Sequence, residues 1–321
     1  IQDAIQRGVM MHAQVRSDYM IPLIDFGVHS QYGGVWCVLS REESPNLIRF
    51  VKSRGGLDCQ ETCEILLSLC DALQVLHSDN RIHGNLKPTN VFVKNRTSGP
   101  LKILVSDLLG AGLSRVHKSS SGRITFNDPS FFTYEQASGK TMNAQTDIAG
   151  MGLLAYFMLK NSVPFEGRTT DKLLTAVIIG SGRIKIKAEE IQGSLEQREL
   201  LAKLVNECLS KQSTGRPKDV ASLKVTLQDI LSLGQTSTQS SRNGFEDLST
   251  PKPTASLGMP SLTPNHSLMS TLGFGQTLGF DAITDQALRQ FQSQDQQSVN
   301  EYSGSSTRVT GSHKAIITAP P

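Results

Sequence analysis

The chain has 321 residues, 38% of them hydrophobic and 19% charged, both below the averages of globular proteins, so part of it is expected to stay unfolded. Its 32 Lys and Arg residues against 29 Asp and Glu leave a formal charge of +3, with no long basic run and no basic stripe interleaved with aromatics, which argues against nucleic-acid binding. The cysteines at 37, 59, 63, 70 and 208 lack the paired spacing and neighbouring histidines of a zinc site and read as reduced thiols of a cytoplasmic protein. The longest near-apolar run, residues 148–159, is too short to span a bilayer and excludes a membrane role.

In chain order, residues 1–16 predict a helix, and residues 20–27 and 35–39 predict strands separated by a turn at Gly33-Gly34. Residues 58–77 predict a long amphipathic helix, with Ile65, Leu66, Leu69, Leu73 and Leu76 recurring at spacings of three and four. Two short strands follow at 90–93 and 101–105 about a Gly-Pro turn, then a helix buried all round at 148–159 and a helical stretch from 196 to 233. Composition changes at 236: the last 86 residues hold 14 Ser and 11 Thr and no Cys or Trp, too little apolar surface to offset the entropy of ordering them. The divisions expected are therefore 1–39, 40–235 and a disordered tail, 236–321, rich in Ser, Thr and Gln. The chain opens on Ile rather than Met, so an upstream segment is expected.

The informative stretch is His83-Gly84-Asn85-Leu86-Lys87-Pro88-Thr89-Asn90, between the long helix and a strand. It resembles the catalytic loop of the protein kinases, H-R-D-L-K-P-x-N, at His83, Leu86, Lys87, Pro88 and Asn90; five fixed residues at fixed spacing arise by chance on the order of once per million windows. Further likenesses follow in the family's order: Asp107-Leu108-Leu109-Gly110 to the D-F-G segment, Tyr134-Glu135-Gln136 to the end of A-P-E, Asp147 with Gly152 to the start of the central helix, and Arg216 to the arginine near the end of the lobe. The resemblance covers about residues 1–233 and is closest to the serine/threonine type. It implies an α+β fold: a mainly helical C-lobe at 40–235, preceded at 1–39 by an N-lobe remnant, truncated because no Gly-rich loop and no lysine-bearing V-A-I-K strand is present. Gly180-Ser-Gly182 and Gly273-Phe-Gly275 lack a correctly spaced third glycine and do not count as such a loop.

The resemblance also assigns roles. Asn90 and Asp107 offer oxygen donors for the Mg²⁺ that accompanies ATP, and Lys87 a contact to the transferred phosphate. His83, Glu135, Asp147 and Arg216 are structural residues, and Glu135 is expected to meet Arg216 as a buried ion pair. The departures weigh against catalysis. Asn85 occupies the position of the family's catalytic Asp, and an amide accepts no proton at ordinary pH. Gly84 replaces the arginine that pairs with a phosphorylated activation segment, so phosphate on Ser119, Ser120, Ser121 or Thr125 lacks that partner. No Glu precedes Glu42, so the first helix cannot supply the glutamate that pairs with the strand lysine. The reading is a pseudokinase, a protein-binding scaffold or regulator in phosphorylation signalling with weak or no ATP and Mg²⁺ binding; the alternative is an active or weakly active serine/threonine kinase whose N-lobe lies upstream. Thr250-Pro251 and Thr263-Pro264 are candidate phosphorylation targets in the tail.

Overall fold

A long apolar helix needs a partner for every buried face, and here the helices supply most of those partners to one another. The structure, a computed structural model, describes residues 2–28, 35–94, 99–108, 117–119, 122–124 and 127–240. The Gly33-Gly34 turn, Leu109-Gly110, Ser120, Ser121, Thr125 and the tail from residue 241 onward, with both Thr-Pro dipeptides, lie outside the described residues.

Helix α1 (Gln2–Gln14) precedes strands β1 (Leu23–Val28) and β2 (Val35–Leu39), which pair antiparallel with an irregularity between Leu23 and Asp25. The first strand starts three residues later than the sequence predicts. Residues 19–21 pair elsewhere: Met20 bridges Val105 in parallel, the Ile21 amide donates to the Val105 carbonyl at 2.9 Å, and the Val105 amide donates to the Tyr19 carbonyl at 2.8 Å. The N-terminal part is thus stitched to the lobe that follows it. A short helix not expected from the sequence, α2 (Leu47–Lys52), is capped by Asn46, whose side chain accepts from the Arg49 amide.

Helix α3 (Cys59–Ser78) begins at an Asp58 cap and buries all five apolar positions that its periodicity marks. After a loop and a tight turn at Pro88–Asn90 come β3 (Val91–Lys94) and β4 (Lys102–Val105), an antiparallel pair. Near the start of β4, α3 satisfies the backbone: Glu64 accepts the Leu101 amide at 2.9 Å and Ser68 the Ile103 amide at 3.1 Å. A short pair, β5 (His117–Ser119) and β6 (Gly122–Ile124), follows.

Helix α4 (Tyr134–Ser138) starts in a capping box of Thr133 and Gln136. Helix α5 (Ala144–Lys160) is buried on nearly all sides and begins four residues before the apolar run, because its polar first turn carries site residues. An added Cβ at Gly152 would meet the Cys208 Cβ at 2.8 Å, so this glycine sets how closely α5 approaches α7. The remaining helices are α6 (Thr170–Gly180), also not expected, α7 (Leu195–Cys208) and α8 (Val220–Ser240). The single helical stretch predicted at 196–233 is two helices. Arg216 is extended (φ −94°, ψ 161°) because Pro217 disfavours helix at the residue before it. Helix α8 runs to Ser240, five residues past the boundary expected at 235. Among the described residues the result is the mainly helical α+β class expected, with three two-stranded sheets, and no helix is long and apolar enough to cross a membrane.

Candidate functional site

The loop between α3 and β3 is held from below by a single carboxylate. Asp147, in the first turn of α5, is 1% exposed; its Oδ2 accepts from the His83 amide at 2.8 Å and its Oδ1 from the Gly84 amide at 2.8 Å. His77 Nε2 also lies 2.8 Å from Oδ2. Gly84 has φ +63°, a left-handed backbone that the arginine expected from the family pattern would adopt only at a cost, and its carbonyl accepts from Gln136 Nε2 at 3.1 Å. Gln136 thereby ties α4 to the loop as well as capping its own helix.

His83 is fully buried, and its two ring nitrogens have opposite roles. The Asn85 amide donates to Nδ1 at 3.1 Å, while Nε2–H donates to the Ser106 carbonyl at 3.1 Å, an arrangement only the neutral ring satisfies. Burial lowers its pKa, in agreement with that bonding, although Asp147 and Asp107 partly offset it.

At the centre, Asn85 Nδ2 donates to Asp107 Oδ2 at 2.7 Å. Asn90 Nδ2 donates to the Asn85 carbonyl at 2.9 Å and, more loosely, to the same Asp107 oxygen at 3.4 Å. Asp107 sits at φ +66°, a conformation that Asp tolerates better than most residues. Two of the expected metal-binding residues, Asn90 and Asp107, and the residue at the base position, Asn85, are therefore brought together. Lys87 Nζ donates to Asn127 Oδ1 at 3.0 Å.

Glu135 and Arg216 meet 81 positions apart in sequence. Arg216 Nη2 lies 2.9 Å from Glu135 Oε1, with the arginine side chain 1% and the glutamate 14% exposed. The pairing is not the two-pronged one expected of a planar guanidinium, because the other donors serve backbone: Nε reaches the Ser210 carbonyl at 2.8 Å, Nη1 the Gln145 carbonyl at 2.7 Å, and Nη2 also the Lys211 carbonyl at 3.2 Å. Arg216 thus joins α4, the start of α5 and the loop after α7.

A profile of the protein kinase domain matches residues 1–227. The chain belongs to the protein kinase family. Among curated relatives, it is 29% identical over 139 residues to a protein of Corynebacterium glutamicum named probable serine/threonine-protein kinase PknB, an alignment covering 42% of this chain and 20% of that one. It is 24% identical over 243 residues to a Lactococcus lactis protein of the same name, covering 76% and 36%. A serine/threonine-protein kinase of Myxococcus xanthus is 21% identical over 227 residues, covering 69% and 26%. The chain therefore spans only about a fifth to a third of the length of these relatives.

Within this kinase domain, one site residue is absent from the sequence reading. His12, on α1, is 2% exposed and its Nε2–H donates to the Ile21 carbonyl at 2.8 Å. Burial lowers its pKa, partly offset by the bond to the Ile21 carbonyl and by the Asp107 carboxylate. Its spacing of three from the buried Val9 marks the inward face of α1, but its bond to a residue outside regular structure leaves no sequence signal.

The family uses ATP with Mg²⁺. Asn90 and Asp107 carry the oxygens that would hold that ion. Asp107 Oδ2 already receives amide hydrogens from Asn85 and Asn90, so a cation there must first displace the Asn85 amide.

Proposed function

We propose that this kinase domain is a pseudokinase, a module that presents its helical lobe to protein partners and does not transfer phosphate at kinase rates. The observation that carries the reading is the 2.7 Å bond from Asn85 Nδ2 to Asp107 Oδ2. The group at the base position donates a hydrogen where catalysis needs an acceptor, and it donates to an oxygen otherwise available to Mg²⁺. A neutral amide thus takes the place of a cation, and the site is satisfied without nucleotide. The bond of Lys87 to Asn127 supports the same reading, since that ammonium already has a protein oxygen as its partner.

The second reading, a weakly active serine/threonine kinase, is favoured by the retained Lys87, Asn90 and Asp107. Radiolabelled phosphate incorporation from ATP into generic Ser/Thr substrates, measured beside an Asn85→Asp variant, separates the two. The pseudokinase reading expects no incorporation above background in the unmutated protein. Incorporation above background that Asp107→Ala abolishes overturns it in favour of the second, and turnover near 1 per second, the lower end of the ordinary kinase range, would make the chain an ordinary kinase.

A further inference from the structure

No run of charge in the sequence points to a ligand, yet two loops distant in sequence assemble one. Arg183 and Lys185, in the loop after α6, and Lys211, in the loop after α7, line an open cleft of about 370 Å³ together with the hydroxyl residues Ser181, Ser210 and Thr214. Acidic residues are absent from this lining. The outward placement of the two loop cations follows from alternation: Ile186 is buried and Ile184 half-buried, which leaves Arg183 and Lys185 on the exposed side. Lys211 is held in place, its Nζ donating to the Ile178 carbonyl at 3.1 Å and lying 4.5 Å over the Tyr134 ring.

Two lysines elsewhere on this lobe have carboxylates: Lys160 meets Glu190 at 2.7 Å, and Lys224 meets Asp71. Among the described residues the side chains of Arg183 and Lys185 have no such partner. Three neighbouring cations without a counter-charge repel one another and raise the local concentration of anions.

We propose that this cleft binds an anionic stretch of peptide from a partner protein, through carboxylate or phosphate side chains. The cleft is open and polar, unlike the enclosed, mostly apolar pockets that bury small molecules. Single-stranded nucleic acid is disfavoured because it needs free aromatic faces, and the Tyr134 ring is already occupied by Lys211 and, at 4.7 Å, by Lys140. Ile179, 53% exposed at the end of α6 and two residues before Ser181, offers such a peptide an apolar contact beside the charges. The inference goes beyond the pseudokinase reading and does not depend on it.

The test uses the full chain and fluorescence anisotropy with three labelled peptides of one backbone sequence, carrying a run of Glu, of phosphoserine or of Gln. The Glu or phosphoserine peptide is expected to bind and the Gln peptide not to, with affinity falling between about 50 and about 200 mM salt; whichever anionic peptide binds more tightly identifies the source of the charge. Arg183→Glu and Lys185→Glu should each weaken binding about tenfold, while Lys203→Glu, an exposed position on α7 outside the cleft, should leave it unchanged. Photo-crosslinking of the peptide to the unmutated chain should label residues 181–185 and 210–215, a readout that survives any folding defect of a variant. Unchanged affinity in both charge reversals, crosslinks elsewhere, or equal binding of the Gln peptide overturns the proposal. Tighter binding of a single-stranded oligonucleotide through Arg183 and Lys185 overturns the peptide assignment. Phosphate transfer is not among the readouts, so failure here leaves the pseudokinase reading intact.

Discussion

An amide and a carboxylate differ at Asn85 by one charge and by the direction of one hydrogen bond. Replacing Asn85 with Asp sets two carboxylates beside each other, where an amide nitrogen now lies 2.7 Å from Asp107 Oδ2 and donates to it. At an effective dielectric of 20, like charges 4 Å apart repel by about 4 kcal/mol, so the side chains must separate or recruit a cation. Asn85→Asp should therefore lower the thermal midpoint in EDTA and recover it in millimolar Mg²⁺, while the unmutated protein responds to neither. Thermal unfolding in both buffers measures this. An equal gain from Mg²⁺ in the unmutated chain would show that the amide does not substitute for a cation. The replacement of Asp by Asn was visible in the sequence; its consequence for Asp107 was not, because no spacing rule reports which atom of a side chain faces which.

Between elements, the prediction concerns Arg216 and its four acceptors. Removing one partner of a buried ion pair costs about 3–5 kcal/mol. Arg216→Ala should fall in that range, since it leaves Glu135 without its counter-ion and takes one donor from each of three carbonyls. Glu135→Ala should cost less, because the guanidinium keeps its three carbonyl contacts and the glutamate is the more exposed partner. Urea unfolding checks the order, and the double variant should fall short of the sum. Equal, additive losses below about 1 kcal/mol would mean that the pair behaves as an exposed one. A second test at this scale is Gly152→Ala. Its Cβ would lie 2.8 Å from Cys208 Cβ and 3.2 Å from the Leu209 amide nitrogen, so α5 and α7 must separate, at about 1–3 kcal/mol. A neutral result in the same assay would remove the close-approach explanation of this glycine.

Elements with long apolar periods were legible: α3 lies within one residue of its expected limits, and β2 matches them. Those with competing signals were not. Helix α6 carries Val177, Ile178 and Ile179 in a row, β-branched residues that obscure the helical period of Leu173, Leu174 and Val177. The separation of α7 from α8 was marked by Gly215-Arg216-Pro217, but the apolar pattern continues on both sides and hid it. Expected contacts between distant elements, such as Glu135 with Arg216, came from the family resemblance and not from periodicity.

For the molecule as a whole, the buried histidines couple folding to pH. His83 is bonded in a way that only a neutral ring satisfies, with one nitrogen donating and one accepting, and protonating His12 would add a buried N–H with no partner among the described residues. Burial lowers both pKa values below the ordinary 6.5. The unfolded chain then binds more protons than the native one once the pH drops toward 6.5, so stability is full above that value and declines as the pH falls, until the folded rings themselves protonate. Each histidine contributes a slope of up to about 1.4 kcal/mol per pH unit, about 2.7 for the two together. Glu42, Glu190 and Asp219, whose pKa values are lowered chiefly by hydrogen bonds, act in a separate, more acidic window, so they do not mask the effect. The unfolding free energy from urea titrations should fall between pH 7 and pH 5.5. His12→Gln keeps an amide donor for the Ile21 carbonyl and removes one titrating ring, so it should roughly halve that slope whatever its effect on stability at pH 7. A flat profile over this range would mean that these rings are free to protonate in the native state and that the loop around Asn85 is not held by a neutral His83, and an unchanged slope in His12→Gln would mean that His12 contributes none of the coupling.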